Sequence, residues 1–255
     1  MPKYRTKKRF GQHFLHDQSV IQKIIQDLNP LKTDHIVEIG PGLGALTFPL
    51  LEKLESLNVV EIDRDVVSRL KKENIPNLII HEEDALRFDY SKITTEKMLR
   101  LVGNLPYNIS TPLIFHLLKN ASLIQDMHFM LQNEVVERLT AKPGNKTYGR
   151  LSIMVQYYCQ TEYLFFVGPE SFSPPPKVDS AIIRLTPWKE LPYKAKNTEN
   201  LSKLVAKAFS MRRKTLRNNL KTMLSAEQIK NLDIDPSARA ETLDVKDFVN
   251  LSNLL

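Results

Sequence analysis

The sequence has little of what several large classes of protein depend on. Cys159 is the only cysteine among 255 residues, which excludes an internal disulfide and fits a reducing, cytoplasmic location. No apolar run approaches the roughly 20 residues of a membrane-spanning helix, and the basic N-terminus lacks the apolar stretch of a secretory signal. The six histidines and one cysteine show no metal-ligand spacing, and neither a Gly-x-Ser-x-Gly element nor a Walker-type loop occurs. We therefore expect no membrane span and no metal site.

Positive charge is concentrated at the two ends of the chain, although the net charge is only +7. Residues 1–9 carry five basic side chains and no acid, and residues 187–255 carry 13 basic and 8 acidic side chains. Residues 10–186 carry 18 basic and 21 acidic side chains, so the middle is mildly acidic. Solubility requires no such segregation. The pattern is typical of an enzyme core with segments that bind a polyanion, and it predicts a nucleic-acid partner.

Short apolar runs alternate with helical patterns over the first two thirds of the chain. After a helix predicted at 17–28, strands are predicted at 35–39, 57–62, 77–81, 99–103 and 127–132, and helices at 45–54, 64–73, 111–119 and 133–141. This alternation predicts an α/β protein with a doubly wound parallel sheet. A helix at 151–158 and strands at 161–167 and 180–186 follow, and we expect these last strands to add an antiparallel edge.

Beyond Pro187 only helical periodicity remains, with helices predicted at about 199–209, 213–224, 226–231 and 245–254. We therefore expect two domains. Residues 1–186 would form the sheet domain, with residues 1–16 as a basic N-terminal arm, and residues 187–255 would form a small all-helical domain.

A glycine-rich turn, Val37-Glu38-Ile39-Gly40-Pro41-Gly42-Leu43-Gly44, follows the first strand of the predicted sheet. Glycines allow the backbone to approach a ligand closely before the next helix begins. Glu61, about 20 residues further on, suits ribose hydroxyls, and Asp84 could accept a hydrogen bond from an adenine amino group. Pro41 removes an amide that would help to bind a pyrophosphate. The pattern favours S-adenosylmethionine and leaves NAD open.

The motif Asn104-Leu105-Pro106-Tyr107 follows the fourth predicted strand. The N6 amine of adenine is a poor nucleophile because its lone pair is delocalised into the ring. Two acceptors aimed at its protons, the Asn104 side-chain oxygen and the Leu105 carbonyl, would make it reactive. Pro106 stiffens the turn, and Tyr107 offers a flat face for an extruded base. An ordinary strand-to-helix turn has the same residue types, so the motif alone does not decide.

Several separated blocks together resemble the ribosomal RNA adenine N6,N6-dimethyltransferases, most closely the bacterial branch that modifies small-subunit 16S RNA. The matching blocks are 8–15, 37–47, 103–112, 127–136, 148–152 and 172–181. The resemblance implies a Rossmann-like class I methyltransferase sheet in residues 1–186. It also implies methylation of two adjacent adenines in the 3′-terminal hairpin loop of 16S rRNA, each twice, with S-adenosylmethionine as donor. The implied partner of a monomeric protein is the immature small ribosomal subunit.

The resemblance also implies roles for individual residues. The cofactor contacts would be His13, Leu15, Gly40, Glu61, Asp84 and Asn104. Many relatives have Asn where this chain has His13. The target adenine would meet Asn104, Leu105 and Tyr107, with Phe172 packed on its opposite face. The helical domain would face the RNA through residues that we expect on one helix, namely Arg212, Arg213, Arg217 and Lys221.

Three alternatives remain at this point. The large-subunit RNA methylases of erythromycin resistance share the glycine loop and the amino-methylation motif, although blocks 127–138 and 148–158 look like the small-subunit branch. A ribosome-assembly factor that keeps the fold without the chemistry is disfavoured by the intact Glu61, Asp84, Asn104 and Tyr107. A NAD oxidoreductase is disfavoured by the Asn104–Tyr107 motif and by the charged ends.

Overall fold

The computed structural model describes residues 13–94 and 97–255, so most of the basic N-terminal arm lies outside the described residues. The strands are β1 (Phe14–Leu15), β2 (His35–Ile39), β3 (Leu57–Glu61), β4 (Leu78–Glu82), β5 (Leu99–Asn104), β6 (Ile124–Gln132), β7 (Cys159–Val167), β8 (Phe172–Ser173) and β9 (Ser180–Pro187). The α-helices are α1 (Gln18–Leu28), α2 (Thr47–Leu51), α3 (Arg64–Lys72), α4 (Ser110–Leu118), α5 (Asn133–Thr140), α6 (Arg150–Tyr158), α7 (Thr198–Ala208), α8 (Leu216–Leu220), α9 (Ala226–Lys230) and α10 (Val245–Ser252).

Seven of the strands form one sheet in the order β4-β3-β2-β5-β6-β9-β7. Strands β4, β3, β2, β5 and β6 are parallel, and β9 runs antiparallel to β6. The predicted parallel sheet and its antiparallel addition are thus confirmed. The strand order reverses at β2, which lies between β3 and β5. In open α/β sheets the crevice at the carboxyl ends of such strands is where ligands bind.

The central strands are buried and mainly apolar because both faces of the sheet are covered. Every residue of β3 is buried, and so are Ile36, Val37 and Ile39 of β2. Parallel strands buried on both faces are expected to form such continuous apolar runs. Helix α1 begins where predicted, because the Asp17 side chain accepts hydrogen bonds from the backbone N–H groups of Ser19 and Val20.

The chain divides into two compact units. The first contains the described residues up to Val136 together with Glu162–Pro187, and the second contains Glu137–Thr161 together with Trp188–Leu255. This division differs from the expected boundary at residue 186/187, because residues 137–161 belong with the C-terminal helices. The reason is packing: α6 contacts both α7 and α10.

Two predicted helices are wrong in extent, and the one expected at 45–54 spans only Thr47–Leu51. Residues 213–224 were expected to be helical, but α8 spans only Leu216–Leu220. Thr215 has an extended backbone at the N-cap, so Arg212 and Arg213 precede the helix. The Asn219 side chain donates hydrogen bonds to the carbonyl oxygens of Ala208 (2.6 Å) and Met211 (3.2 Å), which stabilises the turn before α8. In the part of the chain that the structure describes, no helix is both long and apolar enough to cross a membrane.

Candidate active site

A cavity of about 270 Å³ opens at the carboxyl ends of the parallel strands of the first unit. It is lined by the glycine loop after β2, the end of β3, the residues after β4 and the motif after β5. All six residues expected to contact a cofactor line it: His13, Leu15, Gly40, Glu61, Asp84 and Asn104. Leu105 and Tyr107 line it as well. The structure therefore brings residues spread over almost 100 positions of the chain to one site.

The glycine loop depends on backbone conformations that other residues rarely adopt. Gly40, Gly42 and Gly44 have φ angles of +69°, +54° and +91°, in the left-handed region that favours glycine. A Cβ on Gly42 would lie 3.1 Å from the Phe14 ring, and one on Gly44 would overlap the Phe48 ring. The loop thus leaves its backbone accessible along the cavity wall, as a ligand that lies against it requires.

Gly103 is a structural requirement that the sequence analysis missed. A Cβ at this position would overlap the Ile39 carbonyl oxygen. Strands β2 and β5 can therefore approach each other only because residue 103 has no side chain. Since Ile39 precedes the glycine loop and Gly103 precedes Asn104, this close approach sets the distance between the two motifs.

Two acidic residues hold defined positions at the cavity wall. The Glu61 carboxylate accepts a hydrogen bond from the Asp63 N–H at 2.7 Å. Burial raises the pKa of Glu61, while hydrogen bonds from the backbone N–H groups of Asp63, Ile62 and Gly42 act in the opposite direction. Asp84 accepts a hydrogen bond from the Leu86 N–H at 3.0 Å. Both carboxylates are therefore anchored by backbone donors.

Glu38 is a cavity-lining residue that sequence reasoning did not single out. Only 2% of it is exposed, and its Oε2 accepts a hydrogen bond from the Thr47 hydroxyl at 2.6 Å. The pKa of Glu38 is raised to about 8, mainly by burial and in part by the nearby Glu61, while the Thr47 hydrogen bond acts in the opposite direction. The available signal was a charged residue between the apolar Val37 and Ile39 of β2, next to the glycine loop.

The Asn104 side chain is oriented by the N-terminal segment. Its Nδ2 donates a hydrogen bond to the His13 carbonyl oxygen at 3.0 Å, so Oδ1 is the acceptor end of the amide. The following Leu105 is buried, and its N–H donates to the Met130 carbonyl oxygen of β6 at 3.1 Å. The Pro106 carbonyl accepts from the Ile109 N–H at 3.1 Å. The motif is thus a hydrogen-bonded turn between β5 and α4.

His13 and Tyr107 form a second contact between these segments. Their rings stack with centroids 6.1 Å apart and an interplanar angle of 24°. The His13 Nδ1 lies 2.7 Å from the Pro174 carbonyl oxygen, so this nitrogen carries the proton in that contact. His13 therefore connects the motif after β5 to the proline-rich segment after β8.

Phe172 does not have the position expected of a wall for the target base. Its exposed fraction is 2%, and it packs in an apolar cluster with Leu15, Met130 and Ile182. Its backbone pairs with Leu15 in the small antiparallel sheet of β1 and β8. In this structure the Phe172 ring is thus part of the core, and its packing against the target adenine stays a prediction.

The residues expected to bind RNA lie in the second unit, and all are exposed: Arg212, Arg213, Arg217 and Lys221. They do not share one helix. Only Arg217 lies within α8, and Lys221 is its C-cap. Arg212 donates through Nη2 to the Lys146 carbonyl oxygen at 2.9 Å, and its Nε lies 3.6 Å from Glu241 Oε2.

The cavity fits a nucleoside-containing methyl donor. Its wall has no side chain at Gly40 and Gly42, and it has a carboxylate on β3 and another acidic residue after β4. Within residues 13–94 and 97–255, no group of three or more His, Cys, Asp or Glu side chains is arranged to hold a metal ion.

Comparison with known proteins identifies the family. A family model described as ribosomal RNA adenine dimethylase matches residues 3–255. The chain is 58% identical over 256 residues to ribosomal RNA small subunit methyltransferase A of Alcanivorax borkumensis, which covers 100% of this chain and 91% of the relative. The crystal structure of a dimethyladenosine transferase from Plasmodium falciparum has a TM-score of 0.79 and 31% identity, over 94% of this chain and 96% of that one.

The crystal structure of the 23S rRNA methyltransferase ErmE has a TM-score of 0.76 at 24% identity, over 94% of this chain and 98% of that one, and shows a shared fold. The expected Rossmann-like class I methyltransferase fold is confirmed. Because the family model and the relatives agree over nearly the whole length, the chain belongs to the ribosomal RNA adenine dimethylase family, a group of S-adenosylmethionine-dependent methyltransferases.

Proposed function

We propose that this protein transfers methyl groups from S-adenosylmethionine to N6 of two adjacent adenines in the 3′-terminal hairpin loop of 16S rRNA, giving N6,N6-dimethyladenosines. The observation that carries the proposal is the position of Asn104. Its amide lies at the carboxyl end of β5 and lines the same cavity as Gly40 and Glu61. A polarising acceptor and a nucleoside-binding wall would therefore share one site.

The residues of the chain would divide the work of binding as follows. Glu61 would accept hydrogen bonds from ribose hydroxyls, and Asp84 would accept one from the adenine amino group of the donor. The loop at Gly40 would contact the donor through its backbone, while His13 and Leu15 would close over it. When bound, S-adenosylmethionine supplies a sulfonium methyl group that is already activated for transfer.

Catalysis would depend on orientation and polarisation. Asn104 Oδ1 and the Leu105 carbonyl oxygen would accept the two N6 protons, which directs the nitrogen lone pair at the methyl carbon. Tyr107 would stack on the extruded adenine. Once methylated, the N6 nitrogen would release a proton to solvent, and the donor would leave as S-adenosylhomocysteine. No strong general base is required, because an alkylated nitrogen is acidic.

The choice of the small subunit is supported by the relatives. The Alcanivorax protein, named for the small subunit, is 58% identical to this chain, whereas the likeness to ErmE at 24% identity concerns the fold alone. We further propose that the substrate is the immature small subunit, that a monomer acts on it, and that the reaction takes place in the cytoplasm during ribosome biogenesis.

The test is to incubate the protein and labelled S-adenosylmethionine with unmodified small subunits and, in a separate reaction, with unmodified large subunits. The methylated nucleotides are then mapped. The proposal expects label on N6 of two adjacent adenines of the small subunit. Label confined to the large subunit would assign the protein to the branch of large-subunit RNA methylases. Absence of label from both subunits would refute the proposed activity.

A further inference from the structure

The loop of residues 142–147, which we call the lysine loop, has a defined conformation in the second unit. Its Gly144 N–H donates a hydrogen bond to the Glu241 carbonyl oxygen at 2.7 Å, and its Lys146 carbonyl accepts the bond from Arg212 at 2.9 Å. Within the loop, Asn145 Oδ1 accepts bonds from the Thr147 N–H and hydroxyl, both at 3.0 Å. The hydrogen bonds of the Gly144 N–H and of the Lys146 carbonyl oxygen therefore hold the loop in place.

The cations around this loop differ in how their charge is compensated. Arg212 lies within 3.6 Å of Glu241 and also donates to the loop backbone, so it is engaged within the protein. Lys142, Lys146 and Arg213 are exposed and enter no ion pair among the residues that the structure describes. The lysine loop thus adds two uncompensated positive charges beside the expected RNA-binding residues.

We propose that the lysine loop binds RNA phosphates through Lys142 and Lys146, together with Arg213, and that Arg212 is a positioning residue that holds the loop. The inference rests on the proposed function, because it takes the partner to be RNA. Ammonium groups on a fixed loop lose less conformational entropy on binding than groups on a mobile one. A phosphate backbone supplies anions at regular intervals.

The composition of the loop favours a polyanion over other partners. Besides its lysines, the loop contains Pro143, Gly144, Asn145 and Thr147 and no large apolar side chain. Membrane-surface segments need apolar side chains that insert into the lipid, and protein interfaces depend on buried aromatic anchors. Neither is present in the loop, whereas phosphate binding requires only the charges and the polar backbone.

The test uses the full-length protein and unmodified small ribosomal subunits as the probe. Binding of Lys142→Ala/Lys146→Ala is measured across salt concentrations between about 50 and 200 mM. We expect weaker binding and a salt slope that is less steep by about one unit per lost phosphate contact. The control is Lys32→Ala/Lys53→Ala, which removes the same charge from exposed positions in the first unit.

A salt slope and affinity equal to those of the control variant would overturn the proposal. So would a variant that binds small subunits normally but loses binding to phosphatidylserine vesicles, since that result would assign the loop to a membrane surface. Methylation is followed in the same samples, where the loop variant should raise KM more than it lowers kcat. If the wild-type protein binds small subunits but methylates none, the proposed function fails, while the salt slopes still decide the role of the loop.

The role of Arg212 has its own measurement. Arg212→Ala removes the donor to the Lys146 carbonyl, so the Gly144 amide should exchange its hydrogen about fivefold faster, the factor that corresponds to one lost hydrogen bond. Arg213→Ala removes the same charge without touching the loop and should leave that rate unchanged. Equal exchange rates in the two variants would show that Arg212 does not hold the loop.

Discussion

The Tyr107 hydroxyl lies 2.8 Å from the hydroxyl of Ser180, and Ser180 is completely buried at the start of β9. Tyr107 follows β5, so this hydrogen bond connects the end of one strand to a strand two positions away in the sheet. Burial raises the pKa of Tyr107, and the Ser180 hydrogen bond acts in the opposite direction. The tyrosine ring is thus held at its far end, with His13 stacked on it.

Ser180→Ala should therefore impair methyl transfer without touching the donor site. Loss of one neutral hydrogen bond costs about 1 kcal/mol, so we expect kcat to fall by about fivefold and the Kd for S-adenosylmethionine to stay the same. Tyr107→Phe removes the same bond from the other side, so the double variant should be no slower than the worse single variant. Fully additive losses in single-turnover rates would contradict a shared role.

Asn104→Ala should have a much larger effect on the chemical step. It removes the side-chain acceptor that would polarise N6, and loss of one preorganised polar contact lowers turnover by about 10²–10³. It also removes the donor to the His13 carbonyl, so binding of the methyl donor should weaken in part. The measurement is the single-turnover rate at saturating donor. A rate equal to that of the wild type would rule out a polarising role for Asn104.

Much of the fold could be predicted because the sheet is built from strong local patterns. Strand β2 occupies the predicted residues, and β3 and β5 differ by one residue at one end. The pairing of β1 with β8 could not be predicted, because each strand has two residues and they lie more than 150 positions apart. Helix α8 is shorter than the helical periodicity of residues 213–224 indicated. The extended backbone of Thr215 and the Asn219 hydrogen bonds impose a turn that periodicity cannot predict.

The residues of the candidate site also include some that could be predicted from the sequence and some that could not. Gly40, Glu61, Asp84 and Asn104 could be predicted to meet, because each lies at or just after the carboxyl end of a parallel strand and these ends share one edge. Glu38, Gly103 and Ser180 escaped notice, since their roles depend on contacts between distant segments. The role of Phe172 as a stacking wall stays a prediction, because its ring is buried in this structure.

The buried carboxyl of Glu38 should make stability depend on pH. Its pKa is about 8 in the folded protein and 4.5 as an ordinary glutamic acid. Between these values the folded protein keeps a proton that the unfolded chain has released, so stability falls as pH rises through this window. Glu38→Gln cannot ionise and should gain stability relative to the wild type, on the order of a few kcal/mol between about pH 5 and about pH 8.

The comparison is made by urea unfolding of both proteins at the two pH values, which cancels the contribution of Glu61, whose pKa is also raised. Glutamine retains an oxygen that can accept the Thr47 hydrogen bond, so the variant should fold normally. A stability difference that does not change with pH would mean that Glu38 is not protonated in the folded protein.

The buried Arg100 donates four hydrogen bonds at a position away from the cavity. Its Nε and Nη2 donate to the two oxygens of Asp126 at 2.9 and 2.8 Å, Nη1 donates to Asp34 at 2.7 Å, and Nη2 also donates to the Leu28 carbonyl at 2.7 Å. Burial would raise the pKa of Asp126, but hydrogen bonds from His128 and Arg100 outweigh it and lower the pKa to about 2. The cluster therefore joins β5 and β6 to the end of α1.

Arg100→Ala should destabilise the protein by about 3–5 kcal/mol, since it leaves a buried carboxylate without its partner. The exposed Lys203→Ala, which breaks a surface pair with Glu199 at 3.6 Å, should cost less than about 1 kcal/mol and serves as the control in urea unfolding.

The folded pKa of Asp126 lies below its ordinary value of 3.8, so its contribution to stability is present above pH 3.8 and is lost as pH falls through about 2. The difference between wild type and Arg100→Ala should therefore shrink in acid, and a difference that is constant down to pH 2 would assign the cost to lost packing instead of the ion pair.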